Sequence, residues 1–227
     1  MSARETILST LRRSLGAGAD DTVRAHEVAE RLAEAPRGLI PARGQLPGRE
    51  RVALFRKMVE EVNGTVAETA DAAGVPEAVA GYLRERNLPA SLVHGADPLI
   101  AGLPWETQKH IEHKTQKPDG SEAVGLSRAS AGVAETGTLA LFSGPDNPST
   151  VNFLPEHHIV MIDAADIVAG YEGVWEKLRA VYGKGKMPRT MNFVTGPSRS
   201  ADIEQTLLLG AHGPRALHVI IVGEARD

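Results

Sequence analysis

Residues 157–163 read HHIVMID, and residues 166–183 read DIVAGYEGVWEKLRAVYG. The first is a short apolar run of strand-formers and the second a longer segment with helical spacing, so the pair makes a strand-then-helix unit. The alternation recurs on both sides. TVAETA (65–70) and ASLVHG (90–95) read as strands around the helix VPEAVAGYLRERN (75–87), whose Pro76 sits at a tolerated first-turn position. GTLALFSG (137–144), MNFVTG (191–196) and ALHVIIVG (216–223) read as further strands, and ADIEQTLLLG (201–210) as a helix. Residues 97–125 are the least regular part. Short apolar strands alternating with helices predict an α/β fold: a mostly parallel sheet with helices on both faces. Ligands of such sheets sit beyond the carboxyl ends of the strands.

Upstream of residue 61 the pattern changes. Ile7, Leu8, Leu11 and Leu15 share one face of a first helix, and VRAHEVAERLAEA (23–35) forms a second. PRGLIPARGQLPGRE (36–50) has three prolines and three glycines and reads as an extended linker. ERVALFRKMVEEVN (50–63) is a third helix, with Val52, Phe55, Met58, Val59 and Val62 at helical spacing and Gly64 ending it. The expected organisation is therefore an N-terminal helical arm and linker over 1–60, followed by an α/β domain over 61–227.

Composition narrows the function. A formal net charge of -4 and only 4% aromatic residues offer no basic, aromatic-lined surface for nucleic acid. No apolar run approaches the roughly 20 residues of a membrane helix, and the first residues, MSARETILSTLRRSLG, lack the apolar core of a secretory signal. The expectation is a soluble cytoplasmic protein. The absence of cysteine excludes disulfides, thiol catalysis and iron–sulfur clusters held by this chain's own thiolates. His110 and His113 would face one metal on a helix, but no third ligand stands nearby in sequence, and no metal site is expected.

Three stretches carry residues suited to chemistry. AETGTLALFSGP (134–145) places Glu135 before a strand that disfavours it. Such a carboxylate either caps a turn or serves as a general base or nucleophile. Gly137 permits a close backbone approach, and Thr136, Thr138 and Ser143 are hydroxyl donors for a ligand. FVTGPSRSADIEQ (193–205) is a strand–loop–helix unit in which Gly196, Ser198 and Arg199 suit an anion at a helix start, while the first-turn acids Asp202 and Glu204 oppose one. His212-Gly213-Pro214 leads into the last strand, with His212 either an acid/base group or a structural loop residue.

In their order and spacing, AETGTLALFSG (134–144), LPEHHIVMI (154–162), GPSRSADIE (196–204) and LGAHGPRALHVIIV (209–222) resemble the LUD domain. Within it they resemble the lactate-utilisation protein C family. The resemblance implies the fold shared with glucosamine-phosphate deaminase, ribose-phosphate isomerase and coenzyme A transferases. It implies a part in bacterial oxidation of L-lactate to pyruvate, as a non-redox subunit binding a partner or a small organic anion. Iron–sulfur clusters would then belong only to partner proteins. Coenzyme A transferases of this fold use a glutamate nucleophile near a Gly-containing strand end. The resemblance thus leaves open an autonomous transferase or sugar-phosphate-type enzyme using Glu135. Thr136, Gly137, Thr138, Gly196, Ser198, Arg199, Asp202, His212 and Gly213 would share one pocket rim if the strand ends converge.

Overall fold

A computed structural model describes residues 2–16, 21–200 and 208–225. The chain divides into two compact units, Met1–Leu39 and Ile40–Asp227. In the first, α1 (Ala3–Ser14) starts at a capping box: Ser2 Oγ accepts from the Glu5 N–H, and the Glu5 carboxylate accepts from the Ser2 N–H. Asp21 caps α2 (Thr22–Glu34), which ends at Ala35 in the left-handed conformation.

The second unit opens with α3 (Gly48–Glu61), β1 (Thr65–Thr69), α4 (Val75–Glu85), β2 (Ser91–His94) and the single-turn helix α5 (Pro98–Ala101). Strands β3 (Glu112–Thr115), β4 (Val124–Arg128), β5 (Ala131–Val133) and β6 (Thr138–Phe142) follow, then the short helix α6 (Thr150–Phe153). The chain continues through β7 (His157–Asp163), β8 (Ile167–Val168), α7 (Tyr171–Tyr182) and β9 (Met191–Val194). It closes with β10 (Arg199–Ser200), β11 (Leu208–Leu209) and β12 (Ala216–Val222).

Six strands form a wholly parallel sheet in the order β1-β12-β7-β4-β2-β3. Side chains alternate across it. Ile159 and Met161 of β7 and Ile220 of β12 join Val79 and Leu83 of α4 on one face, while Val160, Ile162, Val219 and Ile221 join Phe55 and Val59 of α3 on the other. Burial of such side chains stabilises by about 1.5–3 kcal/mol each relative to exposure. This double-sided burial explains the near-continuous apolar runs.

A second, four-stranded sheet in the order β8-β5-β6-β9 packs on the α3 side. Leu139 and Leu141 point into the shared core, and Ala140 and Phe142 point outward onto Val174 and Leu178 of α7. The strands read at 137–144 and 191–196 thus lie outside the parallel sheet. Only residues 134–137 separate β5 from β6, too few for a parallel crossover, so the two pair antiparallel.

Three further differences from the sequence reading appear. Helix α3, expected within the N-terminal arm, belongs to the second unit, where Phe55 and Val59 are fully buried. Residues 112–115, 124–128 and 131–133 are strands, hidden in sequence by their length and their mixed polar composition. The helix expected over 201–210 lies largely outside the described residues, and its last part, Leu208–Leu209, is a strand paired antiparallel with Arg199–Ser200.

Gly137 ties the second sheet to α3. It takes φ +65°, and a Cβ there would stand 2.5 Å from Val59 N and 2.6 Å from the Met58 carbonyl carbon. Gly137→Ala is therefore expected to lower the unfolding free energy by about 2–4 kcal/mol, from left-handed backbone strain plus the clash. Urea unfolding checks this; a loss below about 0.5 kcal/mol would mean that the turn can move off the helix.

Candidate functional site

Glu135 sits in the turn between β5 and β6. Its N–H donates to Ala169 O at 3.3 Å, and Ala134 N donates to Val168 O at 2.9 Å, so the turn is sewn to the chain leaving β8. The side chain is buried. Its Oε1 would lie 3.1 Å from a Cβ added at Gly170, and its own Cβ 3.3 Å from one added at Gly44. Glycine at both positions lets backbone close over the glutamate.

Thr136 and Thr138 belong to a hydroxyl cluster. Their Oγ1 atoms are 2.7 Å apart, Thr138 Oγ1 is 2.7 Å from Thr195 Oγ1 and 3.1 Å from the Tyr171 hydroxyl. The cluster joins β6 to the end of β9 and to α7. Thr138 is fully buried and spends its hydroxyl on these neighbours.

Thr195 also lines a pocket of about 280 Å³. Five of the residues expected from sequence meet there: Gly196, Ser198, Arg199, His212 and Gly213. Two backbone bonds hold their loops together, Ser198 N to Pro214 O at 2.8 Å and Gly210 N to Ser198 O at 2.9 Å. Arg199 donates through Nη2 to Val62 O at the end of α3, which keeps its guanidinium on the pocket rim. The pocket lies at the carboxyl end of β9 and the amino ends of β7 and β12, not beyond the carboxyl ends of the parallel sheet as expected.

Its floor holds two buried polar side chains, Asn152 of α6 and His158 of β7. His158 Nε2 is 2.7 Å from Ser127 Oγ, and burial pushes the imidazole down to about 3, so the ring is neutral near pH 7. Its Nδ1 and the Asn152 Oδ1 have no hydrogen-bond partner among the described residues. Nδ1 offers a donor or an acceptor according to tautomer; Oδ1 offers an acceptor. Phe153, Phe193 and Leu217 supply apolar wall, and Arg199 is the one formally charged residue among the described lining. The arrangement suits a small molecule with an anionic group, a hydroxyl or oxo group and a short apolar part.

The remaining residues expected from sequence lie elsewhere. Glu135, Thr136, Gly137 and Thr138 do not line this pocket, so the single shared rim does not form. Ser143 Oγ accepts from the Thr190 N–H at 2.8 Å and lines a different cleft. Asp202 lies outside the described residues. His113 is on β3 rather than a helix, with Nδ1 3.2 Å from His94 Nε2. Asn152 escaped the sequence reading because it sits in a single-turn helix after a Pro-rich loop. His157 points to the opposite face from His158: its Nδ1 is 2.8 Å from the Tyr82 hydroxyl, on the α4 side.

Comparison with known proteins adds the following. A family model described as the LUD domain matches residues 52–222, starting within α3. Lactate utilization protein C of Shouchella clausii is 36% identical over 99 residues, which is 43% of each chain. Its counterpart in Bacillus subtilis is 33% identical over 121 residues, 53% of this chain and 50% of that one. Matches to these curated relatives therefore span half of their length or less. The crystal structure of a DUF162 family protein from Deinococcus radiodurans superposes with a TM-score of 0.55 at 22% identity, over 78% of this chain and 99% of that one, a likeness of fold. No helix among the described residues is long and apolar enough to cross a membrane.

The buried histidines make stability depend on pH. Burial holds His158 at about 3 and His218 at about 4, both below the ordinary 6.5. On acidification the unfolded chain takes up these protons first, so the contribution is whole above about pH 6.5 and is lost as pH falls toward the folded values. Between about pH 6 and 4 each group removes about 1.4 kcal/mol per pH unit. Denaturant unfolding at several pH values should show this slope, reduced by about one such increment in His158→Asn. An unchanged slope in that variant would contradict the assignment.

Proposed function

This chain belongs to the LUD domain family, and on that premise we propose that it serves bacterial lactate utilisation as a non-redox subunit that binds a small organic anion. The pathway reading draws on the relatives named lactate utilization protein C. The binding reading draws on one observation: Asn152 and His158, whose buried Oδ1 and Nδ1 have no partner among the described residues, line the same pocket as Arg199. A buried polar atom without a partner costs about 1–3 kcal/mol, and a ligand that bonds both atoms recovers it.

A 2-hydroxy or 2-oxo acid matches the three environments. Its carboxylate pairs with Arg199 at the rim, its hydroxyl or oxo group meets the floor, and its short alkyl part lies against Phe153, Phe193 or Leu217. A hydroxyl can donate to Asn152 Oδ1 while accepting from His158. His158 orients the ligand and, being neutral, adds no charge to a site that already has Arg199. Electron transfer falls to partner proteins carrying iron–sulfur clusters, since this chain has no cysteine to ligate one. The alternative, a transferase with Glu135 as nucleophile, has no comparable support, because the Glu135 carboxylate is covered by Gly170 and lines neither cleft.

Calorimetric titration of the full chain with L-lactate and pyruvate tests the reading. Saturable binding is expected, weakened about tenfold in Asn152→Leu and in Arg199→Gln. Wild-type protein that binds neither acid, or variants that bind equally well, would remove the site. A separate test is lactate-dependent dye reduction in lysate of a strain lacking this chain. Adding back wild-type protein should restore it, and Arg199→Gln should restore it only at about tenfold higher lactate. A rate that never depended on the chain would sink the pathway assignment.

A further inference from the structure

The parallel sheet has a second opening at its other end, where no residue of the proposed acid-binding pocket reaches. Strands β2 and β4 are neighbours, but the chain leaves them in opposite directions. After β2 it turns outward to β3; after β4 it passes through the second sheet to β7 on the inner side. Divergent connections leave a crevice beyond the carboxyl ends of two such strands, the recurrent ligand position in open α/β sheets. A cleft of about 460 Å³ stands there.

Its construction is specific. Arg128, the last residue of β4, donates from Nε to Asp97 Oδ2 at 2.8 Å. Asp97 is 6% exposed, and its other oxygen accepts the Leu99 N–H at 2.9 Å as the cap of α5. The buried carboxylate thus fixes the guanidinium through Nε, leaving the Nη1/Nη2 edge for the cleft that Arg128 lines. A fork held this way is preorganised for bidentate contact with an oxyanion.

The cleft is walled by the loop after β6, which is pinned in place. Asn147 Nδ2 donates to Arg128 O and Phe142 O at 3.4 and 3.3 Å. The same loop presses on the end of β2, where a Cβ on Gly95 would fall 2.1 Å from Asp146 O. Lys177 of α7 also lines the cleft and is hydrogen-bonded to Asp166. Asp97 and Asp166 are each engaged by one cation, and exposed Asp146 is the remaining negative charge on the described lining.

We infer that this crevice is a second small-molecule site, in which the Arg128 guanidinium binds the carboxylate or phosphate group of a small anion. Lys177 offsets the charge of Asp166, with which it is paired, and Asp146 opposes any anion that offers it no hydrogen-bond donor. The site shares no lining residue with the pocket containing His158 and Asn152.

Titration of the full chain at low ionic strength with inorganic phosphate and with malonate tests the inference. Saturable binding of at least one probe is expected, and which of them binds separates a phosphate from a carboxylate preference. Arg128→Lys keeps the charge but loses the fork and should weaken binding about tenfold. Asp146→Asn, at an exposed position, should tighten it about threefold by removing repulsion. If Arg128→Lys does not fold, Lys177→Gln replaces it, with an expected weakening of about threefold. Failure of wild-type protein to bind either probe would overturn the inference. So would binding that survives Arg128→Lys but is lost in Arg199→Gln, which would place the anion in the other pocket.

Discussion

The carboxyl-terminal half of α3 is the surface on which the second unit's two larger sheets and its candidate pocket are assembled. Phe55 and Val59 are fully buried between β7 and β12 on one side and β6 on the other. Two left-handed glycine turns lie against the same helix. Gly137 touches the backbone at Met58 and Val59, and Gly196 approaches Val62 O so closely that a Cβ would stand 2.5 Å away. Arg199 then donates to that same carbonyl oxygen. One helix therefore sets the height of the β5–β6 turn and the position of the Gly196–Arg199 loop, and a shift in α3 would be felt at both.

Charge is arranged differently at the two openings of the parallel sheet. The pocket at the amino ends of β7 and β12 has an apolar wall, a neutral buried histidine and one arginine at its rim. The cleft at the carboxyl ends of β2 and β4 has ion pairs whose acidic members hold the cations in place. The first holds buried polar atoms without a partner among the described residues; the second holds a guanidinium fixed by a buried carboxylate. Glu135 lines neither opening.

Much of this was legible in the sequence. HHIVMID and ALHVIIVG announced the centre of the parallel sheet because strands buried on both faces must be apolar throughout. The GPSR and AHGP loops were recognisable from glycine, proline and small polar residues, and they do meet. The second sheet was not legible, since a strand such as TLALF is equally apolar in a parallel or an antiparallel setting. The length of the 134–137 connection decided it. Arg128 and Asp97 gave no signal either: they are 31 positions apart, and only the β2–β4 pairing brings them together.

The sequence by itself determined the class of fold, the loops that carry small polar residues and the absence of thiol chemistry. These follow from local propensity, periodicity and composition, which need no knowledge of distant neighbours. Tertiary structure alone decided which polar residues face a cavity. Glu135, set between small residues before a strand, read either as a turn cap or as a reactive carboxylate, and backbone at Gly44 and Gly170 closes over it. Asn152, in a single-turn helix, lines a pocket and has a buried side-chain oxygen with no partner among the described residues. Whether a polar side chain is satisfied depends on atoms far away in the chain, and those are placed by packing.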